Sequence, residues 1–223
     1  MRIFRSRLTP LAGAAALVLQ VCALTSCQPA PPTASQLLAK MNTCSQISSG
    51  KYKTDSETAR TVAVCGAQGG VFWKADMDID CDGVPTAACN ATTDPWFQDD
   101  TFVHTSTDQP LTASALPYVV IPSPSATWDY RTANIRGGAV VAIIYNNKIE
   151  YAVFGDTGPT DIIGEASYAS ARDLGIDANP ETGGTDGPVT YLVFQGSSVA
   201  PVEDHAAAVA KGQQLARQFV TAN

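Results

Sequence analysis

Histidine is scarce in this chain, with only His104 and His205 among 223 residues. No serine sits in the Gly-x-Ser-x-Gly pattern of a nucleophile elbow. A Ser-His-Asp hydrolase therefore has little to build on. Basic residues are also few: 14 Lys plus Arg stand against 21 Asp plus Glu, a net charge of −7. That balance disfavours nucleic acid and anionic surfaces as partners. No glycine-rich nucleotide loop and no internal repeat is present. Past the N-terminus, no apolar run is long enough to cross a membrane. Cysteine spacings do not suit a zinc site, and no metal or other cofactor is expected.

What is there begins with an export segment, residues 1–27. Arg2, Arg5 and Arg7 precede an apolar run, Leu11 to Leu24, that ends in Leu24-Thr25-Ser26-Cys27. This ending has the form of a bacterial lipobox, in which Cys27 would be lipidated; ordinary signal-peptidase cleavage with Cys27 incidental is the alternative. The expected product is secreted, or anchored by lipid on the outer side of a bacterial cell. The segment holds three arginines and no acid, so the rest carries 11 Lys plus Arg against 21 Asp plus Glu, a net of −10. Residues 28–34, rich in Pro and Ala, read as a tether. Residues 35–223 are long enough for one domain with a core of its own, expected to be a monomer.

Four cysteines lie in that domain, and an even count in an exported protein reads as two disulfides. Of three pairings, Cys44–Cys65 and Cys81–Cys89 close short loops and are preferred. Ser35 to Asn42 reads as a short helix capped by Ser35. Thr61 to Val64 and Val71 to Lys74 read as short strands, followed by Tyr118 to Ile121. In Met77-Asp78-Ile79-Asp80-Cys81-Asp82-Gly83, carboxylates alternate. The readings, in order, are a solvated turn, a face binding an ammonium-bearing ligand, and a calcium loop. The twelfth position from Asp78 is Cys89, which excludes an EF-hand. As a strand, the stretch would put all three Asp on one face. Trp96, in a loop, is either a stacking surface for sugar or a core plug.

The chain is organised around residues 137–158. Two apolar runs flank Asn146-Asn147, a pair suited to a two-residue hairpin turn. They predict strands over 140–145 and 149–154. Gly155-Asp156-Thr157-Gly158 follows, placing Asp156 at a rim after the strand. Glu165 comes nine residues later, at an expected loop-to-helix junction with the helix over 166–174. Two carboxylates so delivered suit acid/base hydrolysis, although turn and cap roles would explain each singly. A loop over 177–187, a strand over 189–194 and a C-terminal helix over 203–220 complete the reading, the helix with Val209, Leu215 and Phe219 as its apolar side.

The acidic stretch 77–83, Tyr118-Val119-Val120, Gly155-Asp156-Thr157 and Gly164-Glu165-Ala166-Ser167, in this order, resemble the chitosanases of glycoside hydrolase family 75. The resemblance covers residues 36–198, and the four cysteines fit it. It implies endo-acting, inverting hydrolysis of the β-1,4 bonds of chitosan, with Asp156 and Glu165 as the essential carboxylates. An acidic cleft would gather this polycation. Asp78, Asp80, Asp82, Trp96 and Thr157 are then the candidate substrate contacts. A helix start near Glu165 would keep it ionised, which favours Glu165 as base and Asp156 as acid. The competing functions are a non-catalytic module binding cationic polysaccharide, and another β-glycanase. The fold is expected to be mostly β: one compact six-stranded barrel, of the double-psi kind by analogy, with a few short helices and a C-terminal helix. A β-sandwich is the alternative.

Overall fold

A computed structural model describes residues 30–223 of the chain. Cys27 and the segment 1–27 lie outside the described residues. The first helix, α1 (Ala34–Ala39), is capped by Thr33 and not by Ser35. Thr33 accepts from the backbone of Gln36, whose side chain answers the Thr33 N–H, a reciprocal capping box that Ser35 cannot make.

The strands are β1 (Ser45–Gln46), β2 (Cys65–Ala67), β3 (Gly70–Asp80), β4 (Tyr118–Pro122), β5 (Val140–Tyr145), β6 (Lys148–Gly158), β7 (Glu165–Ser167) and β8 (Thr185–Phe194). Two further helices are α2 (Tyr168–Leu174) and α3 (His205–Ala222). The sheet runs β1-β2-β3-β7-β4-β6-β5-β8, and β8 pairs back onto β3. Six strands, β3 to β8, thus close into a barrel. Its pairings are mixed: β3–β7 and β4–β6 are parallel, the others antiparallel.

The hairpin forms as its residues dictate. Asn146 and Asn147 take positive φ of 44° and 64°, and Tyr145 faces Lys148 across the turn. Other boundaries differ from expectation. Residues 61–64 make only an isolated bridge, Val62 to Tyr52. β3 is far longer than four residues and absorbs the acidic stretch as far as Asp80, leaving Asp82 just past its end. β6 absorbs Gly155-Asp156-Thr157-Gly158, so Asp156 sits inside a strand and not beyond it. Glu165 opens β7, and α2 starts only after its cap, Ser167. β8 starts at Thr185, which shortens the preceding loop.

Alternate residues along the strands enter two buried clusters. Val71, Trp73, Val141, Ile143, Phe154 and Tyr191 belong to one. Phe72, Val140, Ala142, Tyr151, Leu192 and Phe194 belong to the other, with α1 and α3. α1 and α3 thus cover the outer side of the barrel, and the first set, which Ala171 and Leu174 of α2 join, lies on its inner side. α3 approaches through Ala208, Gly212, Ala216 and Phe219, with Val209 and Leu215 only half-buried. The expected disulfides, Cys44–Cys65 and Cys81–Cys89, both form.

Candidate active site

β3 carries Asp76, Asp78 and Asp80 at every second position, so all three leave the strand on one side. Its parallel neighbour β7 sets Glu165 opposite Asp78. On the other side of β7, Glu165 faces Val120 of β4, and Val120 in turn faces Asp156 of β6. Asp78, Glu165, Val120 and Asp156 therefore form one row across four strands. Residues paired this way point to the same side of a sheet. Glu165 and Asp156 are two strand spacings apart, about 10 Å between Cα atoms at ~4.8 Å per strand.

Asp156 is buried, at 8% exposure, and Glu165 is half-buried, so neither stands freely in solvent as a rim residue would. The two differ in partners. Asp156 Oδ1 accepts the backbone N–H of Phe102 at 2.8 Å and of Thr157 at 2.7 Å. Burial pushes its pKa up, and these two donors pull against that shift. For Glu165, burial comes first and then the charges of Asp78, Asp82 and Asp156, all in the same direction, raising its pKa to about 8. Gly155 lets Asp156 be where it is. A Cβ there would lie 2.6 Å from Cβ of Tyr118 and 2.8 Å from Leu111 Cδ1.

A cluster surrounds Asp156. One carboxylate oxygen from each of Asp80, Asp82 and Asp156 lies within 4.8 Å of the others. Asp80 is buried, and burial followed by the charge of Glu165 pushes its pKa far up. Asp82 rises to about 6, through burial first, against the Gln98 backbone N–H that it accepts at 2.6 Å. With its other oxygen on the Gln98 side chain, Asp82 also holds the 94–98 loop in place. That loop presents Trp96 at 86% exposure, which rules out a core plug. Its N–H donates to Asp94 Oδ1 at 2.8 Å, and the charge of Asp94 is felt by Asp82 and Glu165. Trp96 thus stands on a loop bordering the acidic face. Thr157 is half-buried on β6 beside Asp156, and its backbone N–H is spent on that carboxylate.

The structure brings together every carboxylate that the sequence reading selected. It adds Asp55, Asp76 and Asp94. Asp76 was legible, since the alternation already starts there and not at Asp78. Asp55 and Asp94 lie in loops, and no local pattern marks them. The histidines are elsewhere engaged: His104 with Asp100 and Asp108, His205 with Glu150.

Fold and site together define a closed mixed β-barrel with a row of carboxylates across one strand face. The family described as "Fungal chitosanase of glycosyl hydrolase group 75" matches residues 77–221, and the chain belongs to that family. The chain is 36% identical over 126 residues to Endo-chitosanase C of Aspergillus oryzae, covering 55% of this chain and 30% of that protein. It is 28% identical over 185 residues to an Endo-chitosanase of the same species, covering 73% and 75% of the two chains. An Endo-chitosanase of Aspergillus fumigatus is 28% identical over 141 residues, covering 57% and 59%. The matches to the two Endo-chitosanase C sequences span about a third of their length, 30% and 31%.

Proposed function

We propose that this chain is an endo-chitosanase that cleaves β-1,4 glucosaminide bonds with inversion, using Glu165 as general acid and Asp156 as general base. The observation that carries this reading is the shared row: both carboxyls leave the same face, two strands apart. An inverting pair needs ~6.5–9.5 Å between carboxyls, with a water between, and that placement is compatible with it. The roles are the reverse of those favoured on sequence, because Glu165 lies in β7 and not at a helix start. Among other carboxylates and without a hydrogen-bond donor among the described residues, it keeps its proton below about 8. Asp156, with two backbone N–H donors, is the better place for the negative charge.

In the reaction, Asp156 takes a proton from water as its oxygen bonds to the anomeric carbon. The bond from that carbon to the glycosidic oxygen breaks, and Glu165 protonates the departing oxygen. Asp78 and Asp82 face the substrate as carboxylates able to pair with its ammonium groups, with Asp80 buried between them, and Trp96 offers a ring on which a sugar can stack. Export through residues 1–27, with a lipid on Cys27 or release from the cell, belongs to this reading, as does a monomeric enzyme. Among the described residues no helix is long and apolar enough to cross a membrane.

The test is reducing-end release from chitosan, chitin and cellulose, with the anomers of early products resolved by NMR. Chitosan should be cleaved fastest, and the new ends should carry the configuration opposite to the bond cleaved. Retention would remove the inverting mechanism. Binding of chitosan without turnover would identify a non-catalytic module, and preference for cellulose another β-glycanase.

A further inference from the structure

We propose that Asp55, Asp76 and Asp78 form a subsite for the ammonium group of a glucosamine unit flanking the scissile bond, on the side of Glu165 away from Asp156. It rests on the chitosanase reading and adds the determinant that demands an unacetylated sugar at that position. One carboxylate oxygen from each residue lies within 4.8 Å of the others. Asp55 and Asp78 are exposed, while Asp76 is 9% exposed. Its Oδ1 is buried against Gly164 and has no hydrogen-bond partner among the described residues. A buried carboxyl without a donor is costly, and a cation held at its other oxygen, beside Asp55 and Asp78, offsets that cost.

Among the described residues no cation pairs with Asp76. Lys53 and Arg60 lie on this side, yet both pair with Asp161, at 3.8 and 2.9 Å. The carboxyl of Asp76 also occupies the space that a Cβ at residue 164 would fill, and Gly164 sits there with φ of 129°. The cluster is thus built against the residue preceding Glu165, and Asp78 stands directly opposite Glu165 in the register. An ammonium group carries three N–H donors for three carboxylates, whereas calcium takes 6–8 oxygens. An N-acetyl group at the same place would bring no charge and a single N–H, too few for three carboxylates. Sites built for a polar partner reject its absence strongly.

The test compares wild type with Asp55→Asn and Asp76→Asn on fully deacetylated and on highly acetylated chitosan. Mass spectrometry of the product ends gives the sugar at each position beside the cut. Each variant should lose about tenfold or more in kcat/KM on the deacetylated polymer and less on the acetylated one. One position flanking the cut should then tolerate N-acetylglucosamine. Asp55 is exposed, so its variant keeps the test if Asp76→Asn does not fold. Equal losses on both polymers with unchanged product ends would overturn the proposal. So would activity that falls with a chelator and returns with calcium in wild type but not in Asp55→Asn. If wild type cleaves no chitosan, the functional reading fails separately. Calorimetric titration with glucosamine hexamer then still decides the subsite: affinity must drop in Asp55→Asn, and equal affinity refutes it.

Discussion

Glu165 and Asp156 are both carboxyls in a crowd of carboxyls, and what separates them is what their neighbours donate. Asp156 receives two backbone N–H groups, while Glu165 meets burial and like charge. Asp156→Asn and Glu165→Gln should therefore each remove ~10²–10⁴ of the rate, the usual contribution of a general acid or base. The two losses should differ in their pH signature. Wild-type activity should fall on the alkaline side as Glu165 loses its proton near about 8. It should fall on the acid side as Asp156 gains one, above its ordinary carboxylate range. Initial-rate profiles for both variants and wild type check this. An alkaline limb that survives in Glu165→Gln with residual activity would take the acid role from Glu165. Both residues were legible in the sequence, because glycines mark them. The surroundings on which the proposed roles rest were not legible, because they depend on a register that joins four strands from distant parts of the chain.

At the scale of elements, the sequence signals were sound where they were local and short where pairing decides. The Asn146-Asn147 turn set its hairpin without help from outside. β3 and β6 run on past their apolar cores because β8, β7 and β4 pair with their acidic ends. A row of Asp has little intrinsic reason to be a strand. α3 was read in part: Phe219 is buried and Val209 and Leu215 pack against the core, but the close approach of β6 centres the contact on Ala208, Gly212 and Ala216. A Cβ on Gly212 would enter the ring of Tyr151. Gly212→Ala, favourable for an isolated helix by ~1 kcal/mol, should instead cost ~1–3 kcal/mol through overpacking. Denaturant melts measure it, and a neutral or stabilising result would show that α3 can move away at no cost. The disulfides belong to this scale too. Cys81–Cys89 closes a stretch of separation 8 that contains Asp82 and precedes the loop that carries Trp96, while Cys44–Cys65 closes one of 21 ending in β2. Each should contribute ~2–4 kcal/mol. Replacing both cysteines of the first pair by alanine should also lower activity more than the same change in the second. Equal activity at a temperature where both variants are folded would contradict that.

For the molecule as a whole, the acidic face sets the dependence of stability on pH, and its sign is opposite to the common one. Asp76, Asp78, Asp82 and Glu165 are raised from ordinary values of 3.8 and 4.5 to about 7, 6, 6 and 8, in each case chiefly by burial. In the unfolded chain these groups ionise near their ordinary values. Between about pH 4 and 8 the native state therefore holds more protons than the unfolded one, and stability falls as pH rises. Their favourable contribution is fully present below the unfolded values and is lost as pH passes the folded ones. Asp129 and Glu203 act the other way, held down by Arg131 and Ser106, and their contribution fades only in stronger acid. Asp129 is partly and Glu203 fully exposed, so they weigh less. The domain should melt at a higher temperature near pH ~5 than near pH ~8. Glu165→Gln should narrow that gap by raising the melting temperature at the alkaline end, where the wild-type carboxyl is charged, while leaving the acid end nearly unchanged. Calorimetric scans of both proteins across this range, at fixed ionic strength, provide the measurement. A wild-type domain as stable at pH ~8 as at ~5 would mean that the carboxylate row is solvated well enough to ionise without strain. The protonated Glu165 on which the acid role depends would then have no basis.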